Sequence, residues 1–115
     1  MKNFLELQND GYIFMKRRNQ LHKIWIEDIE LIQADGDYSM VSTSNGAFFS
    51  SNRLKDLEDL LSSQGFLRVH RSYLINMEKI ERLDIGKNQL SIGGETIPIG
   101  KNYKSFVLSR MVLVQ

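Results

Sequence analysis

Within the run 66–76, F-L-R-V-H-R-S-Y-L-I-N, three side chains that carry or can take a positive charge fall inside four positions: Arg68, His70 and Arg71. On an extended segment Arg68 and His70 share one face and Leu67 and Val69 the other. The apolar face is expected to bury the segment and hold its backbone still. The polar face then aims guanidinium groups outward from a rigid support, which suits recognition of an anion by charge and by a planar fork of N–H donors. The same inventory argues against catalysis. The chain has no cysteine, hence no thiolate nucleophile and no sulfur-ligated metal. It has two histidines, His22 and His70, no serine–histidine motif and no phosphate-cradling glycine loop. Asp35-Gly36-Asp37 reads as a turn using aspartate chemistry rather than as a metal-binding pair. No enzymatic activity, cofactor or metal is expected.

The elements that must position this stretch are mostly strands. Gly11 to Arg17, Leu21 to Ile26, Glu30 to Ala34, Tyr38 to Thr43 and Ala47 to Ser51 are rich in β-branched and aromatic residues. Arg18-Asn19-Gln20, Asp35-Gly36-Asp37 and Ser44-Asn45-Gly46 supply the turns between them, with a short helical turn at 27–29. One clear helix is predicted at about 53–63. Asn52 is its N-cap candidate, Leu54, Leu57, Leu60 and Leu61 form its apolar face, and Gly65 is its stop. Beyond the central stretch, 79–85, 89–92 and 95–99 read as strands, and Pro98 puts the last of them at a sheet edge. A short C-terminal helix follows Gly100, with Tyr103, Phe106, Val107 and Met111 on its apolar side. The fold class is therefore mainly β: an elongated, sandwich-like stack of antiparallel sheets with one clear helix and a short final one.

With 115 residues the chain is expected to form one domain over its whole length, 1–115. No apolar run approaches the roughly 18 residues of a membrane span, and the start M-K-N-F-L-E-L-Q-N-D does not read as a signal peptide. A cytoplasmic protein without membrane contact is expected. The net charge of +1 conceals an asymmetry. Up to Leu67 the chain carries seven Lys/Arg against ten Asp/Glu, and from Arg68 onward eight against four. One basic working face, or merely ordinary solvated faces, fits that pattern.

Four blocks together resemble the LytTR family of bacterial DNA-binding domains, the output domains of many response regulators in two-component systems. They are I-E-L-I-Q-A-D-G-D-Y-S at 29–39, L-K-D-L-E-D-L-L at 54–61, F-L-R-V-H-R-S-Y-L-I-N at 66–76 and I-P-I-G-K-N-Y-K-S-F at 97–106. The resemblance covers essentially the whole chain, and its third block is the most specific. It implies sequence-specific binding of double-stranded DNA by a transcriptional regulator whose loops, not a recognition helix, enter successive major grooves. It also implies promoter sites in paired repeats and a homodimer on DNA, in either a free-standing regulator or the output half of a longer response regulator with a receiver domain upstream.

Carried over position by position, the resemblance assigns base contact to Arg71 and to Lys101, and a third contact to the loop around Tyr38 and Ser39. Arginine can bond guanine O6 and N7 together, whereas lysine brings a point charge. His70 is either a phosphate contact or a neutral ring fixing its loop, and Arg68 either a phosphate clamp or the partner of an acidic neighbour. Asn102 and Lys104, beside Lys101, are candidates for phosphate. The Lys16-Arg17-Arg18 run is a solvated hairpin tip or a backbone contact. The alternative to DNA binding is a non-catalytic β-rich protein-interaction module, suggested by the modest net charge and the apolar tail V-L-S-R-M-V-L-V at 107–114.

Overall fold

The structure is a computed structural model and describes residues 11–115. Alternation of apolar and polar residues builds a first hairpin from β1 (Tyr12–Arg17) and β2 (Gln20–Trp25), which forms a two-stranded sheet. A single 3-10 turn, Ile26–Asp28, delivers the chain into β3 (Ile29–Asp35), β4 (Tyr38–Thr43) and β5 (Gly46–Ser50). Helix α1 (Leu54–Leu61) crosses over, and β6 (Phe66–His70) and β7 (Tyr73–Asn76) complete a five-stranded antiparallel sheet in the order β5-β4-β3-β7-β6. A third sheet, β10-β9-β8, comes from β8 (Ile80–Asp84), β9 (Gln89–Ile92) and β10 (Glu95–Pro98), and α2 (Lys104–Ser109) follows. The mainly β stack is as expected, and Pro98 does lie on an edge strand. The long axis, 46 Å against 34 and 23 Å, reflects the stacking of sheets.

The central sheet is buried on both faces, which is why β3, β6 and β7 read as nearly continuous apolar runs. Ile32, Leu74 and Phe66 face the first hairpin and α1, in one cluster with Met15, Ile24, Leu57 and Leu61. Their neighbours Leu31, Ile75 and Leu67 face the third sheet and α2, in a second cluster with Leu90, Ile92, Ile97 and Val107. The third sheet turns one face to the core: in its middle strand β9, Leu90 and Ile92 are buried while Gln89 and Ser91 are half-buried.

Three expectations are corrected here. Asn52 does not cap α1: the N-cap is Arg53, without a side-chain hydrogen bond. The Asn52 Oδ1 instead accepts from the Ser50 hydroxyl (2.9 Å) and its carbonyl from the Ser39 hydroxyl (2.8 Å), so its side chain is engaged before the helix begins. The helix ends earlier than position 63: a 3-10 turn, Ser62–Gln64, separates it from Gly65, which takes φ +87° and turns the chain as predicted. In α2 only Val107 is buried, while Phe106 lies exposed beneath the Arg110 guanidinium, because six residues present a single side to the core.

Candidate nucleic-acid interface

Strand β6 is where local sequence sets the geometry. Its pairing with β7 slips between Arg68 and His70, a bulge that places Val69 and His70 opposite Tyr73 alone. The extra residue breaks the two-residue alternation, so Arg68 and His70 do not share a face as an unbroken strand would require. Arg68 reaches toward α1, whereas the His70 ring meets Tyr73 edge-on at 5.5 Å on the side of the second cluster. The bulge also leaves the Val69 carbonyl to accept from Gly100 N–H at 2.8 Å, which ties the segment after β10 to the end of β6.

Three turns meet at this end of the central sheet. Ala34 N–H donates to the Ser72 carbonyl (2.9 Å), fastening the β3–β4 hairpin beside the β6–β7 turn. Gly100 packs so closely that a Cβ there would stand 3.5 Å from the His70 Cα and 2.9 Å from the Tyr103 ring. Arg71, Lys101 and Asn102 are exposed on these turns, and among the described residues none of their side chains makes a hydrogen bond or ion pair. Tyr38 is 56% exposed at the start of β4, but Ser39, the next residue, is 1% exposed. Adjacent strand residues face opposite ways. Ser39 therefore holds the Asn52 carbonyl from inside.

Arg68 is committed within the protein. Its Nη1 donates to Glu58 Oε1 of α1 at 2.8 Å, its Nε to the His70 carbonyl at 2.9 Å, and its Nη2 to the Arg71 carbonyl. One planar guanidinium thus braces the backbone of the turn that carries Arg71, and α1 supplies the neutralising charge. With the two side chains 15% and 29% exposed, this pair is shielded more than a surface bridge. His70 contributes in a similar way: its Nδ1 accepts from Ser72 N–H at 3.0 Å, which assigns the Nε2–H tautomer and closes the turn. Lys104 Nζ donates to the Ile85 carbonyl (3.0 Å) and so joins α2 to the β8–β9 turn.

That last turn adds a residue the sequence reading passed over. Ile99 N–H donates to the Asn88 carbonyl (2.8 Å), so Gly86-Lys87-Asn88 lies beside the Lys101 segment. Lys87 is exposed, and its backbone N–H is held by Asp84 Oδ1 at 2.9 Å. The repeated tripeptide G-K-N at 86–88 and 100–102 was the available signal. Elsewhere, Asn76 is structural: its side-chain amide donates to the Ile29 carbonyl and its oxygen accepts from Glu78 N–H. The Arg17 guanidinium lies 3.8 Å over the Phe48 ring and bonds the Ala47 carbonyl. Among the described residues no group of three or more His, Asp or Glu could hold a metal ion, and no helix is long and apolar enough to cross a membrane.

A β-rich domain that gathers unpaired cations on braced turns is built to meet an extended anion. Residues 19–111 match the family model of the LytTr DNA-binding domain, and the chain belongs to that family. The heme-containing CO-sensing transcriptional regulator RcoM 1 of Paraburkholderia xenovorans is 30% identical over 91 residues, which cover 75% of this chain and 34% of that protein. The CO-responsive transcriptional regulator RcoM of Rhodospirillum rubrum is 37% identical over 75 residues, 61% of this chain and 32% of that protein. The transcriptional regulatory protein NatR of Bacillus subtilis is 27% identical over 81 residues, 70% and 35% respectively. The chain thus spans about a third of the length of these relatives. A solved LytTr DNA-binding domain from Bacillus cereus shares the fold, with a TM-score of 0.77 at 21% identity over 88% of this chain and 96% of that one.

Proposed function

We propose that this chain is the DNA-binding part of a bacterial transcriptional regulator and that it reads double-stranded DNA with turns placed in the major groove. The observation that carries this reading is the convergence of Arg71, Lys101 and Tyr38 on three turns at one end of the central sheet, with Arg71 and Lys101 unpaired. Arg71 is the base reader, its fork matched to guanine. Lys101, Lys87 and Asn102 engage the neighbouring backbone or base edges, and Tyr38 flanks them from the β3–β4 hairpin. Arg68, His70 and Ser39 shape the turns from behind instead of touching DNA, and Lys104 steadies the β8–β9 turn. Family membership and the transcriptional regulators among the relatives support the reading. In this reading the chain is one part of a longer regulator that acts in the cytoplasm on promoter sites in paired repeats.

The test is an anisotropy titration on a site enriched from a random DNA pool. Arg71→Ala should lose discrimination at particular base pairs by about 1–3 kcal/mol. Lys101→Ala should weaken binding and flatten the salt dependence by about one unit if it meets phosphate. Two variants that bind as tightly and as selectively as the parent would refute this assignment.

A further inference from the structure

A cavity of about 470 Å³ lies between the edge of β1, strand β5 and helix α1, with Tyr38 among its lining residues. That is the size of pockets that take small organic ligands. Its floor is core: Ile13, Met15, Ile32, Val41, Leu57 and Leu61. Its mouth stays apolar, for Phe49 is 55% exposed and Leu60, the leucine of α1 that misses the core, 37%. Two cations, Lys16 and Arg18, join the uncharged Tyr38, Ser50, Ser51 and Asn52 in the lining, and among the described residues no aspartate or glutamate belongs to it. Among the described residues neither cation has a hydrogen bond, an ion pair or a ring partner. Arg17 between them is turned away and fixed on Phe48 and the Ala47 carbonyl. The run Lys16-Arg17-Arg18 is therefore one anchored arginine flanked by two cations at the cavity.

An apolar floor beneath a mouth whose charged groups, among the described residues, are both cations selects an amphipathic anion. A neutral hydrocarbon would gain nothing from Lys16 and Arg18, and a polyanion would gain nothing from the floor. We propose that this cavity binds an apolar monocarboxylate, its chain over Ile32 and Leu57 and its carboxylate between Lys16 and Arg18. A second copy of this chain presenting the same face is a poor occupant, because it would set these cations against their own kind. The site shares Tyr38 with the DNA-facing end, but neither Arg71 nor Lys101 lines it, and its occupation does not depend on the DNA reading.

The experiment is an amide-resolved NMR titration of the 115-residue chain with decanoate, and in parallel with decanol, which keeps the chain and removes the charge. Decanoate should produce saturable shifts confined to amides 13–18, 49–52 and 57–61. Decanol, and decanoate on the Lys16→Ala/Arg18→Ala double variant, should bind at least tenfold more weakly. Both substitutions are at exposed positions, and the unchanged remainder of the spectrum checks the fold of the variant. Equal binding of decanol, an unaffected double variant, or shifts that do not saturate overturns the proposal. So does a dependence of these amides on protein concentration without ligand, which assigns the cavity to a second copy.

Discussion

Arg68 and Arg71 sit three positions apart, and the structure gives them opposite employment. Both carry a fork of donors, but the Arg68 fork is filled by one carboxylate and two carbonyls, whereas that of Arg71 is empty and exposed. Arg68→Ala leaves the two carbonyls and Glu58 without their donor, and a lost bond to a charged group costs about 1.5–3 kcal/mol. Thermal unfolding should register that loss. DNA affinity should fall with it, because the turn under Arg71 is loosened. The slope of affinity against salt should stay at the parent value, since a brace neutralises no phosphate. A slope flattened by about one unit would mean that Arg68 meets DNA after all. Arg68→Lys should rescue little of the stability, because a point charge cannot bridge three acceptors in one plane.

At the scale of elements, the site depends on contacts between segments far apart in sequence. Gly100 is the clearest case. Its conformation is open to any residue, but its space is not: an added methyl would collide with the Tyr103 ring at 2.9 Å while standing in ordinary contact with the His70 Cα. Gly100→Ala should therefore destabilise by about 1–3 kcal/mol, the range for overpacking a filled site. It should also push the Lys101 turn away from the Arg71 turn and weaken DNA binding. Gly36→Ala offers the contrast, because nothing lies within 4 Å of its Cβ position and only the φ of +60° resists the side chain. Roughly 1 kcal/mol is expected there. Circular dichroism melts of the two variants, followed by DNA titration, separate a steric lesion from a conformational one. A Gly100→Ala chain as stable and as tightly bound as the parent would show that the two turns are not coupled.

For the whole molecule, a net charge of +1 means that long-range attraction to DNA is weak and that affinity must come from the working end. Counting Lys87 and Lys101 as the cations free to meet phosphate, log affinity against log salt should have a slope of about −2, at roughly 0.9 per phosphate neutralised. A titration from low to physiological salt measures it. A slope near zero would favour the protein-interaction reading, for which the exposed Val112, Leu113 and Val114 are the material at hand.

The strands, their turns, the edge position of Pro98 and the family could be read from residue order alone. The elements follow from short-range rules (side-chain alternation, glycine at positive φ, leucines at helical spacing), and the family from the resemblance of four sequence blocks. The family resemblance singled out Arg71 and Lys101, which lie exposed on turns. The short-range rules could not tell Tyr38 from Ser39, because which face of β4 is covered depends on what packs there. Nor could they foresee the bulge after Arg68, which turns His70 to the other side and frees a carbonyl for Gly100. Glu58 and Arg68 are ten residues apart, and the G-K-N turn at 86–88 is tied by the Asn88 carbonyl to Ile99, the residue before the second G-K-N. Sequence spacing has no bearing on either, since both arise where sheets and helix close on each other. Which cations stay free and which become braces was decided only by that closure.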